Sequence, residues 1–296
     1  MKIAVSSYSY HQYIKEGKMT QLDALKKAAE QGFEGIEFTD LCPENKKGAT
    51  LDEQLAYARV LRQEAEKLGV KIVAYLIGAD LYKGDAVQNA EEVERVKGQV
   101  RVAAELGAPL MRHDVCRTER VGDRVIGFEH MLPTIAENVR RITEYAATLG
   151  VRTCSENHGK IAQDSDRVER LWYAVNNENY GILVDIGNFA CVDEDSVTAV
   201  SRLAPYAIHA HAKDFHKIPF GEPVADDLKT FATRGCNLLA GCALGDGDIP
   251  VEQCVKILRS AGYDGWISIE FEGNKDCIEE IALGYERLKT YINKGE

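Results

Sequence analysis

A single-domain (β/α)8 TIM barrel is the fold class that this 296-residue sequence predicts, and two observations carry the prediction. First, a helical segment ending in glycine and running at once into a short apolar strand occurs five times, as EQGFEGIEFTD, EKLGVKIVAYL, ELGAPLMRHD, TLGVRTCSENH and SAGYDGWISIEFE. Gly32, Gly69, Gly107, Gly150 and Gly262 stand where a helix closes on a left-handed residue, a conformation glycine adopts without a Cβ penalty. Three more strands, IAVSSYS, YGILVDIGN and AIHAHAKD, bring the set to eight, and regular alternation of strand and helix favours a closed parallel barrel. Second, no glycine-rich phosphate fingerprint follows any strand, so an open nucleotide-binding sheet has no support.

The elements follow in order. The first strand carries Tyr8 and Tyr10 on one face, a platform for a sugar ring or ordinary packing. Thr20 with Asp23, and Thr50 with Glu53, have the spacing of a capping box; in the first case Leu22, Leu25, Ala28 and Ala29 then repeat at helical period. Asp248, followed by Pro250, is read as the N-cap of the helix VEQCVKILRSAG. Residues 215–249 contain several Gly and Pro and read as a long loop insertion after the seventh strand. That is the side where barrel active sites sit, so a lid or partner contact is expected there. No linker interrupts the chain, and residues 1–296 form one domain.

Composition narrows the function. A formal charge of -11 without any Lys/Arg cluster argues against nucleic acid and anionic membranes as partners. The opening MKIAVSSYSY is too short in apolar residues for a secretory leader, and no later stretch has the length of a membrane span. Eight scattered cysteines without a C-x-x-C pair read as reduced thiols, so a cytoplasmic location is expected. Self-association, or pairing with a partner subunit, is left open.

In a parallel barrel, the catalytic mouth is lined from the C-terminal strand ends. Four consecutive strands end in Glu156, Asp185, His211 and Glu270. Strand alternation pairs these with Cys154, Leu183, His209 and Ser268 on the inward face. Three carboxylates crowded in a low-dielectric mouth require a cation, and oxygen-rich coordination with one imidazole suits Mn²⁺ first, then Mg²⁺, Co²⁺ or Zn²⁺.

On the motifs GFEGIEF, SENHG, VDIGN, HAHAKD and GYDGWISIEFE, in that order, the chain resembles the sugar phosphate isomerase/epimerase family of xylose-isomerase-like TIM barrels. The resemblance spans nearly the whole chain and implies a metal held by Glu156, Asp185, His211 and Glu270. Two places depart from the ketose epimerases of that family: Asn188 stands where they carry His, and Lys217 where they carry Arg. The family's DNA repair nucleases fit least, because this acidic chain lacks their extra histidines and basic surface.

The resemblance implies isomerase or epimerase chemistry on a keto sugar or polyol through an enediolate, with Glu156 and Glu270 as bases on opposite faces of the reacting carbon. The alternative is a metal-dependent lyase or dehydratase, which additionally needs an acid for the departing group. His158 shares the inward face of Glu156 and is a candidate for that acid, as is His113, although parity leaves open whether His113 or Arg112 faces the mouth. Lys213, Asn188, Glu37 and Tyr8 are candidate substrate-binding residues, with a role behind the ligands or plain barrel filling as the other reading of Glu37. A non-catalytic sugar-binding subunit is a third possibility, which would not need two glutamates on the metal.

Overall fold

The computed structural model describes residues 1–46, 48–117 and 119–294. Eight parallel strands close into a barrel: β1 Lys2–Ser6, β2 Gly35–Thr39, β3 Lys71–Ile77, β4 Leu110–His113, β5 Arg152–Glu156, β6 Tyr180–Asp185, β7 Ala207–Ala212 and β8 Trp266–Ile269. Consecutive strands are neighbours, and β1 pairs with both β2 and β8, which removes every free edge. A helix follows each strand, from Gln21–Glu30 to Cys277–Asn293.

Local chemistry accounts for the ends of these helices. Thr20 and Thr50 each form a full capping box, with Asp23 and Glu53. All five repeat glycines have positive φ, from 71° to 89°. The proposed Asp248 cap does not form: the helix Val251–Ser260 has no side-chain cap, and the Asp248 carboxylate accepts instead from the Lys217 N–H at 2.7 Å.

Apolar residues form two layers. Ala4, Val73, Leu76, Leu110, Cys154 and Leu183 fill the barrel, with Ile208 and Trp266 packed against them. Outward-facing residues such as Val5, Phe38, Met111 and Val184 meet the helices through Leu25, Leu61, Val96 and Ile142. Two register shifts, after Ile36 in β2 and after Ile182 in β6, mark irregularities in the ladder. The chain opposite these shifts contributes Val73 and Ile208, both of which enter the interior layer.

Residues 215–249 correct the reading of an irregular insertion. Asp214–Ile218, Phe231–Ala232 and Leu238–Cys242 form a three-stranded antiparallel sheet beside the barrel mouth. The first tyrosines are also corrected: Ser7–Tyr10 is a short 3-10 helix, so Tyr8 and Tyr10 do not share a strand face. Tyr10 is buried, its hydroxyl donating to Gln31 at 2.8 Å, while Tyr8 reaches the mouth. No described helix is long and apolar enough to cross a membrane.

Candidate metal centre and active site

The barrel register brings the four ligand candidates together. Asp185 on β6 lies beside His211 on β7, and His211 beside Ser268 on β8, one step below Glu270. One donor atom from each of Glu156, Asp185, His211 and Glu270 falls within 4.8 Å of the others. His211 Nδ1 is 3.5 Å from Asp185 Oδ2, and 3.7 Å from Glu156 Oε1 and from Glu270 Oε2. Those separations are too long for hydrogen bonds, yet close to the spacing of neighbouring ligands about 2.1 Å from one shared ion.

The test of fit is the state of the buried atoms. Asp185 Oδ1 accepts from the Gly187 and Asn188 N–H groups at 2.8 and 2.9 Å, whereas its Oδ2 has no hydrogen-bond partner. Both ring nitrogens of His211 are likewise without a hydrogen bond, Lys213 Nζ comes no closer than 3.5 Å to Asp185 Oδ2, and both Asp185 and His211 are fully buried. Two orphaned polar atoms facing each other at the centre of a carboxylate cluster are costly unless a cation lies between them. The donor set therefore fits a divalent ion. Around it, Asn157 fixes β5 to β6 by exchanging two hydrogen bonds with the backbone of Asp185, at 2.8 and 2.9 Å.

Two cations balance the carboxylates. Arg112 lies 2.5 Å from Glu156 Oε2 and 3.1 Å from Asp114 Oδ1, and Lys213 lies 2.5 Å from Glu270 Oε2. Burial works against the Lys213 ammonium, but Glu270, Asp185 and Glu272 outweigh it and hold its pKa well above the usual lysine range. Burial pushes the Glu156 carboxyl up in spite of Arg112, whereas for Asp185 burial is overcome by Lys213 and His211, which bring its pKa down to about 2.

A cavity of about 260 Å³ opens above these residues and is lined in part by Tyr8, Arg112, Asp114, His158, Lys213 and Glu272. His158 is half exposed there, with Nδ1 held by Asp114 Oδ1 at 2.9 Å. Tyr8 donates to Glu272 Oε1 at 3.0 Å, and Asn188 Nδ2 donates to Glu156 Oε1 at 2.8 Å. A second cavity, about 330 Å³, lies behind the antiparallel sheet near Asp193 and Lys217, away from the ligand cluster.

Two candidates leave the site. His113 points away from the mouth, fully buried, with Nδ1 on the Asp114 carbonyl at 2.9 Å, and Arg112 takes the inward place. Glu37 is also fully buried and does not line the cavity; it lies beneath His211 against His209 and Ser268. His209, one inward step deeper on β7 than His211, is a buried residue hydrogen-bonded to Glu37 and Ser268. Asp114 and Glu272 were not singled out by sequence, although each stands within two residues of a residue that was.

A closed parallel barrel with a histidine and three carboxylates at adjoining strand ends defines a class of α/β barrels whose mouth is prepared for a cation. The chain belongs to the xylose isomerase-like TIM barrel family, whose pattern it matches over residues 25–291. It is similar to an inosose dehydratase of Clostridium perfringens, 26% identical over 162 residues and 54% of each chain, so it spans about half the length of that relative. It is also similar to the inosose dehydratase of Lactiplantibacillus plantarum, 24% identical over 88% of this chain and 85% of the other. Among solved structures, the fold resembles an IolI protein with a binding zinc atom, at TM-score 0.74 and 16% identity over 100% of this chain and 99% of that one. It also resembles L-ribulose 3-epimerase, at TM-score 0.72 and 14% identity over 99% and 95%.

Proposed function

We propose that this protein is a divalent-metal-dependent lyase that removes water from a keto polyol of the inosose kind, with the metal on Glu156, Asp185, His211 and Glu270. The observation that carries the reading is His158. Its Nδ1 is engaged by Asp114, which leaves Nε2 as the ring atom for a substrate in the cavity. Burial opposes the charged ring, but the hydrogen bond and charge of Asp114 prevail and raise its pKa, so the imidazolium is available as an acid.

A bound divalent cation polarises the substrate carbonyl and makes the adjacent C–H acidic. Glu270 is the base. Its carboxylate is more open than that of Glu156, at 12% against 2% side-chain exposure, and both oxygens of Glu156 are engaged, by Arg112 and Asn188. Lys213 remains an ammonium and holds a substrate oxygen rather than taking a proton. Glu270 removes the proton alpha to the carbonyl, the neighbouring C–O bond breaks, and His158 Nε2–H protonates the departing hydroxyl. One C=C bond forms and one water leaves, with the two side chains reset by solvent.

The isomerase or epimerase reading has its own support, since Glu156 and Glu270 face the same point from different strands. Loss of the epimerase-like His and Arg, at Asn188 and Lys217, counts against it. Chromatographic separation with mass detection of a keto-inositol incubated with metal-loaded protein distinguishes the two. The lyase yields a product lighter by one water, whereas an isomer of unchanged mass would move the assignment to epimerase.

A further inference from the structure

We infer that Glu37 is a positioning residue that fixes the tautomer of His211, so that Nδ1 is the ring atom presented to the metal; the inference rests on the metal reading above. Glu37 stands on β2, away from the four strands that carry the ligands, and reaches under β7 and β8 with a fully buried side chain. Its Oε1 lies 2.8 Å from His211 Nε2, and its Oε2 lies 2.7 Å from His209 Nε2. Ser268 Oγ donates to the same Oε2 at 2.8 Å. Among the described residues, no Lys or Arg pairs with this carboxylate.

An ionised carboxylate only accepts, so each ring nitrogen turned toward it carries a proton. For a neutral His211 with the proton on Nε2, the lone pair is on Nδ1, which faces Asp185, Glu156 and Glu270. A carboxylate is an expensive way to fill a barrel interior. Placed behind a metal-bound imidazole, however, it orients the ring and raises its donor strength. The same Glu37, His209 and His211 atoms also lie close enough together to clasp an ion of their own. Against that, Oε2 is already satisfied by hydrogen bonds from His209 Nε2 at 2.7 Å and Ser268 Oγ at 2.8 Å, while Oε1 and His211 Nε2 stand 2.8 Å apart as an ion pair without hydrogen-bond geometry.

Two measurements test this. In Zn²⁺-loaded wild-type protein with ¹⁵N-labelled histidine, proton–nitrogen correlation spectra should show His211 metallated at Nδ1 and protonated at Nε2. Calorimetric titration of the metal-free protein with Zn²⁺ should give one ion per chain, and Glu37→Gln should weaken binding by about 10–100-fold with its circular dichroism unchanged. Glu37→Asp, which keeps the carboxylate, should recover part of that loss. An unchanged Kd in Glu37→Gln, metallation at Nε2, or two ions per chain would overturn the inference. If Glu37→Gln does not fold, the wild-type spectrum decides alone. A wild-type chain that takes up no ion overturns the metal reading itself, a result distinct from binding through the other nitrogen.

Discussion

Two histidines at the ends of neighbouring strands, His113 on β4 and His158 after β5, have opposite fates, and each carries a prediction. His158, oriented by Asp114, is the proposed acid, so His158→Gln should lower turnover by about 100-fold or more while metal content stays at the wild-type level. Parallel loss of metal would instead make His158 a structural support. His113 is fully buried, and burial brings its pKa down to about 4. In the unfolded chain it titrates near the usual value of about 6.5. The folded form therefore resists protonation, so this stability is complete above about pH 6.5 and is lost as pH falls toward 4. Between pH 7 and 5 the loss amounts to about 2 kcal/mol. Urea unfolding of His113→Phe should lack that part of the pH dependence; an identical pH profile would contradict the assignment. Strand alternation made the four ligand candidates legible, because each stands at the polar end of a mostly apolar strand, two positions beyond another inward-facing residue. It failed to choose between Arg112 and His113, because the deciding force is the need of Glu156 for a cation, and that pairing exists only once β4 and β5 are adjacent.

The antiparallel sheet at 214–242 is the element that the sequence concealed. Its strands are short and separated by connections that contain Gly and Pro, so their pairing arises from position beside the mouth rather than from any local pattern. Contrary to the expected lid, none of residues 215–249 lines the cavity over the ligand cluster. The sheet instead ties the mouth loops together: Arg234 N–H donates to the Cys191 carbonyl at 2.8 Å and Arg234 Nη1 to Asp164 at 3.0 Å, while Gly241 bridges Gly273. A side chain at Gly241 would meet the Glu272 carbonyl at 2.1 Å, which is why that strand can approach so closely. The Asp214 carboxylate anchors the return of the sheet, accepting from the N–H groups of Phe215, Gly245, Gly247 and Ile249 at 2.8 to 3.1 Å. Asp214→Ala leaves those donors without their acceptor and should cost about 3 kcal/mol in chemical denaturation. A change within about 0.5 kcal/mol would mean that water replaces the carboxylate without loss. The extra residues opposite the register shifts, Val73 in β3 and Ile208 in β7, were equally hidden, since a one-residue bulge leaves no signature in a run as apolar as KIVAYLI.

At the scale of the whole molecule, the barrel was the most legible feature, because five of the eight strands follow the same pattern of helix, glycine and apolar strand. The site was legible only as a set of strand ends; its far side, with Asp114 and Arg117 rising from the loop after β4, depends on tertiary closure. On the proposed reading, the carboxylate cluster ties stability to metal. An ion that binds only the folded chain adds about 2.7 kcal/mol at 100 times its Kd, so Tm should rise on adding Mn²⁺ or Zn²⁺ and fall with chelator. The most direct test of the central claim is the metal content of wild-type protein and of His211→Ala, both purified without chelator and measured by elemental analysis. The account predicts one divalent ion per wild-type chain and none in the variant. Full occupancy in His211→Ala, or a wild-type chain that takes up no ion from excess Mn²⁺ or Zn²⁺, would contradict it.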